Sequence, residues 1–536
     1  MSHHEKLPQD SMGANTAGRE LFADPSAITE PPAAAWSLES LLGCTASIPT
    51  FDQFPDPVAL GVFTLMEVEA LYDFFFAEMN PYLGLLDPIL HTPLYVRNNS
   101  SLLYTSVLAV TTRYLHPDKH LICSQLAHDH LSTVLVMHHR RKWIATIQSI
   151  CLLSFWKEPK DDGGWRRVGF AIRLAYEEGL HESINAKPLH LRELSVRESL
   201  DRVRTWLFLN CMDRMMSFQR ALAPMITPEY TFDAAAWAGG ITPETASEDV
   251  WLTAALEYSE LRFQIRIIRG LINGKSSFRQ ERHSPTERLR CTMRLEAVQQ
   301  NFSKWKMRWQ SETINSLLSS KSRLMLDFYA VFMAFYISST AFEHLQQSNG
   351  TGDRAADNNP IGPFSDCFAD ALNVVEAIKQ VADFKYALLY VPDTVPVAVS
   401  AAAVWMVKHV AHLDDPNVVQ VITSLEQGAE RSRNVSIHAH DTPAYMGRLF
   451  EMLVEILNTS RMQNMQGPSA LSRITPPLAA FSRTSEPVDL LSNSSFPVPA
   501  MQPLWNVSAS DGDVEGFWSW FKNGQELPAS GMPFMS

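Results

Sequence analysis

From Thr64 to about Arg220 the chain runs in long segments whose apolar residues recur roughly every three to four positions, with few glycines and few alternating patches. That period lines apolar side chains along one side of a helix, whereas a half-buried strand needs a period of two. Segments of this kind bury their apolar surface by packing helix on helix, and signals for a β-sheet are scarce. The expected fold class is all-α.

Two helices can be argued residue by residue. Trp165, Val168, Ile172 and Ala175 fall on one face, and Arg173 and Glu177 stand four apart on another. Gly179 follows the last periodic turn, where a left-handed terminating residue is expected. The next helix opens with Ser195-Val196-Arg197-Glu198, the spacing of a capping box in which the Ser hydroxyl and the Glu carboxylate each satisfy an orphan amide. Leu200, Val203, Leu207 and Cys211 then repeat along one face, and Pro224 bars continuation. In the second half, 250–273, 284–317, 322–347, 364–390, 396–413, 416–431 and 441–459 read as helices, with a polar loop from Gln347 to Pro363.

This helical texture sits between two arms of different composition. Residues 1–58 are rich in Ala, Pro, Ser and Thr, and 461–536 in Pro, Ser, Met and Asn, so both read as disordered. The expected organisation is an N-terminal arm (1–58), a helical domain (59–460) and a tail (461–536). With 46% apolar residues in 536, material for a large core is ample. A formal net charge of −13 provides no broad basic field for phosphate backbones, which disfavours direct DNA binding by an extended surface.

Six cysteines, Cys44, Cys123, Cys151, Cys211, Cys291 and Cys367, are widely spaced, and the first residues lack the apolar core of a signal peptide. A reducing, intracellular setting is expected, in which the Asn-x-Ser/Thr matches at Asn98 and Asn434 are chance. Leu324 to Phe342 is long enough to span a bilayer but contains Asp327 and a Ser-Ser-Thr cluster, and Val391 to Val407 is broken by Pro392, Asp393 and Pro396. Both read as core helices, and no membrane association is expected.

One region carries a family resemblance. Leu71-Tyr72-Asp73-Phe74-Phe75, Met79-Asn80-Pro81, Leu85-Leu86-Asp87-Pro88 and His91 are followed by Leu102-Leu103 and Val107-Leu108-Ala109-Val110. Further on come Gly169-Phe170-Ala171-Ile172-Arg173-Leu174-Ala175-Tyr176-Glu177-Glu178-Gly179-Leu180-His181, then Arg202-Val203-Arg204-Thr205-Trp206-Leu207, then Asp213-Arg214 and Ser217. The stretch 66–226 resembles the middle homology region of fungal zinc-cluster transcription factors. The resemblance implies a helical regulatory domain, a nuclear location, and dealings with the transcription machinery or a coactivator. It also implies control of a metabolic or secondary-metabolite gene set and leaves room for a small-molecule effector. Where many members follow Asp-Arg with a Gly-Arg-Pro turn, this chain has Arg220-Ala221-Leu222-Ala223-Pro224. Members usually carry a six-cysteine binuclear zinc cluster, whose tetrahedral sites need paired Cys-x-x-Cys spacings. No such pair occurs here. The expectation is a regulator with no zinc-cluster module in this sequence, acting through a DNA-bound partner factor or with its DNA-binding exon absent from this sequence, and a corepressor-type interaction protein is the alternative.

The remaining constellations are weighed against plainer readings. Asp511, Asp513 and Glu515 precede Phe517, Trp518, Trp520 and Phe521, the pattern of an acidic-aromatic activation segment, although a terminal element docked on the protein's own core would use the same residues. Leu38-Glu39-Ser40-Leu41-Leu42 has coactivator-motif spacing that arises readily by chance. In His138-His139-Arg140-Arg141-Lys142, the triplet Arg140, Arg141 and Lys142 is a candidate nuclear-import run, secondary to a solvated helix face. His116 and His120, four apart, would share a metal on one helix face, but Pro117 favours a turn between them, and with His128 and His130 they read as ordinary surface histidines. Asp161-Asp162 and Asp414-Asp415 could suggest a terpene-cyclase-type metal site, but neither has a third acid in register or a second metal motif. No cofactor and no catalytic residue is expected.

Overall fold

Thr64 starts the first helix. Its hydroxyl accepts from the Glu67 N–H at 3.3 Å while the Glu67 carboxylate accepts from the Thr64 N–H at 2.7 Å, a complete capping box. The same backbone amide, with Lys119 and the Thr64 hydroxyl, holds the Glu67 carboxyl down at about 2. The computed structural model describes residues 55–136, 143–157, 161, 163–182, 196–219, 222–226, 247–272, 285–349, 361–383, 387–439 and 441–465. Among them every regular element is helical and no strand occurs.

The first half comprises α1 (Leu65–Phe74), α2 (Pro93–Asn99), α3 (Ser101–Leu115), α4 (Pro117–Val136), α5 (Trp143–Phe155), α6 (Gly164–Glu177) and α7 (Val196–Gln219). Then follow α8 (Ser247–Ile272), α9 (Pro285–Trp309), α10 (Glu312–Leu317), α11 (Ser320–Asn349), α12 (Ile361–Asp383), α13 (Ala387–Tyr390), α14 (Thr394–Lys408), α15 (Asp415–Val435) and α16 (Thr442–Met465). Packing is largely between neighbours in sequence: α3 on α4, α5 on α6, α8 on α7 and α9, α11 on α12, α15 on α16. Longer-range layers, α8 on α11 and α12 on both α14 and α15, knit the pairs together.

Proline and aspartate set several boundaries. Pro93, Pro117 and Pro285 each stand at the first helical position, where the missing N–H costs nothing. Asp414 caps α15 by accepting from Asn417 N–H at 3.1 Å. Gly179 ends α6 at φ 65°, with Leu180 N–H on Ala175 O at 2.9 Å and Gly179 N–H on Tyr176 O at 3.1 Å, the paired bonds of a Schellman cap.

Several expectations need correction. The helix expected over 284–317 is two, α9 and α10, because Ser311 caps a fresh start at Glu312, its hydroxyl accepting from Ile314 N–H. Of the segment expected over 364–390, Ile361–Asp383 (α12) and Ala387–Tyr390 (α13) are helical, and 384–386 lie outside the described residues. The 396–413 segment ends as a helix at Lys408 and continues as a 3-10 turn over Val410–His412. Trp165 is only half-buried, whereas Val168, Ile172 and Ala175 are buried as expected. His130 is 2% exposed, so the surface reading fails for it, and burial lowers its pKa. The Ser195 cap lies outside the described residues.

Helix α11 contains the apolar Leu324–Phe342 stretch and is long and apolar enough to cross a membrane, but 67% of its apolar 18-residue window within Ser320–Gln346 is buried inside the fold. It packs on α8, α9 and α12. Two carbonyls of α13 tie the halves together: Tyr114 Oη donates to Leu389 O at 3.1 Å and Trp156 Nε1 to Tyr390 O at 3.4 Å. The Tyr390 ring meets Tyr114 edge-on at 4.8 Å and Phe74 at 5.6 Å.

Candidate functional site

The residues that carried the resemblance converge on one buried polar network. After α1 the backbone widens into a π-turn over Phe75–Met79 and tightens into a 3-10 turn over Asn80–Tyr82. The Asn80 amide closes the following loop, donating to Leu86 O at 2.8 Å and accepting from Leu86 N–H at 3.2 Å, with Gly84 at φ 67° between them. The loop delivers Asp87 into the interior, where its Oδ1 accepts from Ile89 N–H at 2.9 Å. Its Oδ2 accepts from Arg197 at 2.8 Å and from Arg204 at 3.1 Å, both on α7.

Arg204 is the hub. Only 1% exposed, it binds Asp87 with one nitrogen and grips both oxygens of Asp249 on α8 with the other two, Nη2 to Oδ2 at 2.8 Å. Burial works against the guanidinium charge, but Asp249, Asp87 and Asp201 more than restore it, so Arg204 stays protonated. Asp87 is held below the ordinary carboxylate value: burial opposes ionisation, but the Ile89 amide, Arg204 and Arg197 outweigh it. Asp201 goes the other way. Burial raises its pKa despite His91, whose Nε2 lies 3.6 Å away, and Gln148, which donates to it at 2.9 Å.

The run ending at His181 is bound to the same helix. Arg202 donates to Glu178 O at 2.7 Å and so caps the C-terminus of α6. The Tyr176, His181 and Trp206 rings form a cluster, with centroids 4.9 Å, 5.4 Å and 6.0 Å apart. Asp213 holds the turn after α7 by accepting from Met225 N–H at 2.7 Å and Ile226 N–H at 2.8 Å, and burial raises its pKa. Helix α7 is therefore buried on nearly every side from Val203 to Asn210, not along the one stripe its leucines suggested. The chemistry of this network is structural: paired charges and satisfied amides lock five segments around one helix.

The five described cysteines are free. Burial pushes the Cys123 thiol up to about 11 and the Cys211 thiol up to about 12, and raises the other three, so none is an activated thiolate. No group of metal-ligating side chains occurs among the described residues. Of the two acidic pairs, Asp414 is spent on capping α15, and Asp161 is bound to Arg167 and accepts from Gly163 N–H at 2.8 Å.

A surface cleft of about 280 Å³ opens where α3, α4, α5 and the start of α6 meet. Arg113, His120, His128, Lys157, Arg167 and Asp161 line it over a floor that includes Ala109 and Trp156. His120 Nδ1 lies 3.0 Å from Ala109 O and His128 Nδ1 2.8 Å from Ser124 O. Since a carbonyl only accepts, both rings carry the proton on Nδ1. A second cavity, about 50 Å³, lies among Trp251, Tyr258 and Tyr329 and is large enough for little more than water.

Sequence reasoning named Asp87, His91, Arg204 and Asp213 only as motif letters and missed Asp201, Asp249 and the cleft altogether. Asp249 has a faint signal, an acid in the first turn of its helix, but nothing linear pairs it with Arg204. Arg140, Arg141 and Lys142, the segment from Asp511 to Phe521, and Leu38 to Leu42 all lie outside the described residues.

With that geometry in view, comparison with known proteins identifies the region. Residues 72–234 match the family described as the fungal specific transcription factor domain, and this stretch of the chain is such a regulatory domain. The chain is 24% identical over 357 residues to Protein priB of Lentinula edodes, an alignment covering 66% of this chain and 56% of priB. It is 28% identical over 175 residues to the transcriptional activator of proteases prtT of Emericella nidulans, covering 32% of this chain and 25% of that protein. The chain thus matches about half the length of one relative and a quarter of the other. No solved structure matches it.

Proposed function

We propose that this chain is a nuclear transcription regulator whose helical domain, residues 59–460, controls the availability of an activation segment in the tail. The observation that carries this reading is the domain match over 72–234, whose motif residues Asp87 and Arg204 are buried in one ion-paired network that Asp249 completes from outside the match. A domain held together in this way is a rigid frame for presenting surfaces to partners.

Contact with DNA is proposed to run through a DNA-bound partner factor, because the charge of −13 opposes non-specific phosphate binding by these residues. The proposed activation residues are Asp511, Asp513, Glu515, Phe517, Trp518, Trp520 and Phe521, with Arg140, Arg141 and Lys142 as the import run. A metabolic or secondary-metabolite gene set is the proposed target class, and prtT, by its name an activator of proteases, is one relative that controls genes of enzymes. Its role is non-catalytic, in keeping with the family.

The test is a tethering assay. Residues 461–536 and the full chain, each fused to a heterologous DNA-binding domain, are compared on a reporter. Activation by the tail that is lost in Trp518→Ala/Trp520→Ala supports the reading. Silence or repression from every fragment favours the corepressor-type alternative.

A further inference from the structure

We propose that the cavity walled by α5, α7, α8 and α11 binds a planar monovalent oxyanion of a few atoms, of acetate or nitrate size, against Arg262. That such an anion acts as an effector of the helical domain rests on the regulatory reading above; that it binds does not.

Charge is the first argument. Among the described residues, the buried arginine and lysine side chains are Arg204, Arg214, Arg262 and Lys379. Arg204 holds Asp87 and Asp249, Arg214 holds Glu260 at 3.2 Å, and Lys379 is paired with Glu376. Arg262, 6% exposed, faces no carboxylate among the described residues. Its company is aromatic: the guanidinium stands 4.0 Å from the Phe218 ring centroid and 5.9 Å from that of Tyr258. Ring faces attract a cation but bring no charge to neutralise it. The neighbouring phenols stay neutral as well, because burial raises Tyr258 and takes Tyr329 up to about 12, although Arg262 opposes the rise in each. A guanidinium removed from water without a counter-charge is costly, and an anion drawn from solution relieves that cost.

Size and shape supply the second argument. Arg262 lines the cavity of about 50 Å³. A water needs roughly 10–15 Å³ of such space, so the room is for about three to five non-hydrogen atoms. One buried cation balances one negative charge, whereas a dianion such as sulfate would leave a second charge unpaired among Phe208, Trp251 and Tyr329. The guanidinium is a flat fork that matches two oxygens in one plane. Tyr258 and Tyr329, stacked at 4.2 Å with 8° between their planes, give the cavity a flat aromatic wall.

Position connects the cavity to the rest of the fold. Cys211, Met215 and Ser259, in its lining between α7 and α8, are half-buried, so the cavity adjoins solvent on that side. Its wall draws Tyr82 and Phe155 from the first half of the chain and Tyr329 and Thr394 from the second. An anion bound there joins segments remote in sequence and favours the arrangement of them that closes on it, which is how a ligand shifts a conformational equilibrium.

The probe is acetate, observed with the full chain in chloride-free buffer by saturation transfer from protein to the acetate methyl protons in NMR. Expected are transfer from the wild-type protein, displacement by nitrate, and no displacement by sulfate at equal ionic strength. Arg262→Met should weaken binding about tenfold or more, about 1.4 kcal/mol for each factor of ten. Ala255→Leu, which keeps every charge but fills the cavity from its lining, should abolish binding, with circular dichroism confirming the wild-type fold. No transfer from wild type, displacement by sulfate or chloride as ready as by nitrate, or unweakened binding to either variant would each overturn the site. Binding accompanied by equal reporter output from the tethered wild-type and Arg262→Met full chains would overturn the effector role alone. Because the tail assay does not involve Arg262, the two readings fail separately.

Discussion

Replacing Arg204 with methionine tests whether α7 is held by charge or merely by apolar contact. The substitution roughly preserves side-chain length and leaves two carboxylates behind. Asp87 keeps Arg197 at 2.8 Å and the Ile89 amide at 2.9 Å. Asp249 loses the guanidinium that contacts both its oxygens, in a side chain with 0% exposure. Removing one partner of a buried pair typically costs about 3–5 kcal/mol, set against a total stability of about 5–15 kcal/mol. Arg204→Met should therefore forfeit a large share of the stability of the fold, whereas Arg197→Met, at a 27% exposed partner, should cost about 1 kcal/mol. Urea denaturation of the full chain, followed by far-ultraviolet circular dichroism, measures both. In the double variant Arg204→Met/Asp249→Asn the carboxylate that Arg204 neutralised is gone, and more than half of the loss should return. A loss below about 1 kcal/mol in Arg204→Met, or a double variant no more stable than that single one, would refute the reasoning.

Two further predictions concern packing and pH. A Cβ added to Gly428 on α15 would stand 2.8 Å from Phe450 Cε2 on α16, a ring with 0% exposure, so Gly428→Ala should destabilise by about 1–2 kcal/mol despite the better helix propensity of alanine. Gly169→Ala should be within about 1 kcal/mol of neutral, since its Cβ meets only the flexible Met225 thioether at 2.9 Å; thermal unfolding compares the two. Asp201 has a folded-state pKa raised above its ordinary 3.8 by burial, so its contribution is fully present below about pH 3.8 and is lost as pH rises through the folded value. Asp201→Asn should accordingly be more stable than wild type at pH 7, with the gap closing on acidification, as followed by denaturation at several pH values. A variant less stable at pH 7 would show that ion pairing with His91 outweighs desolvation there.

The helical class was legible because a period near 3.6 is a local property: Val168, Ile172 and Ala175 declare a buried face without knowledge of what covers it. Local stereochemistry was legible for the same reason, as at Gly179, whose left-handed conformation a residue with a side chain rarely adopts. Where tertiary contacts override the local pattern, the reading failed. His130 looked like a surface residue among polar neighbours and is buried. The Arg140–Lys142 run and the Asp511–Phe521 segment were read from composition alone, and they stand as proposals.

By itself the sequence determined the all-helical class, several helix ends and the domain type, because capping, periodicity and motif spacing act over a few residues. Only the tertiary structure decided what the motif residues do. Asp87 and Arg204 are 117 positions apart, and Arg204 and Asp249 are 45 apart. The same holds for the cleft, whose cations come from α3, the end of α5 and α6. A buried charge is tolerable only beside its partner, and the partner is selected by how helices pack, a relation that no local pattern encodes.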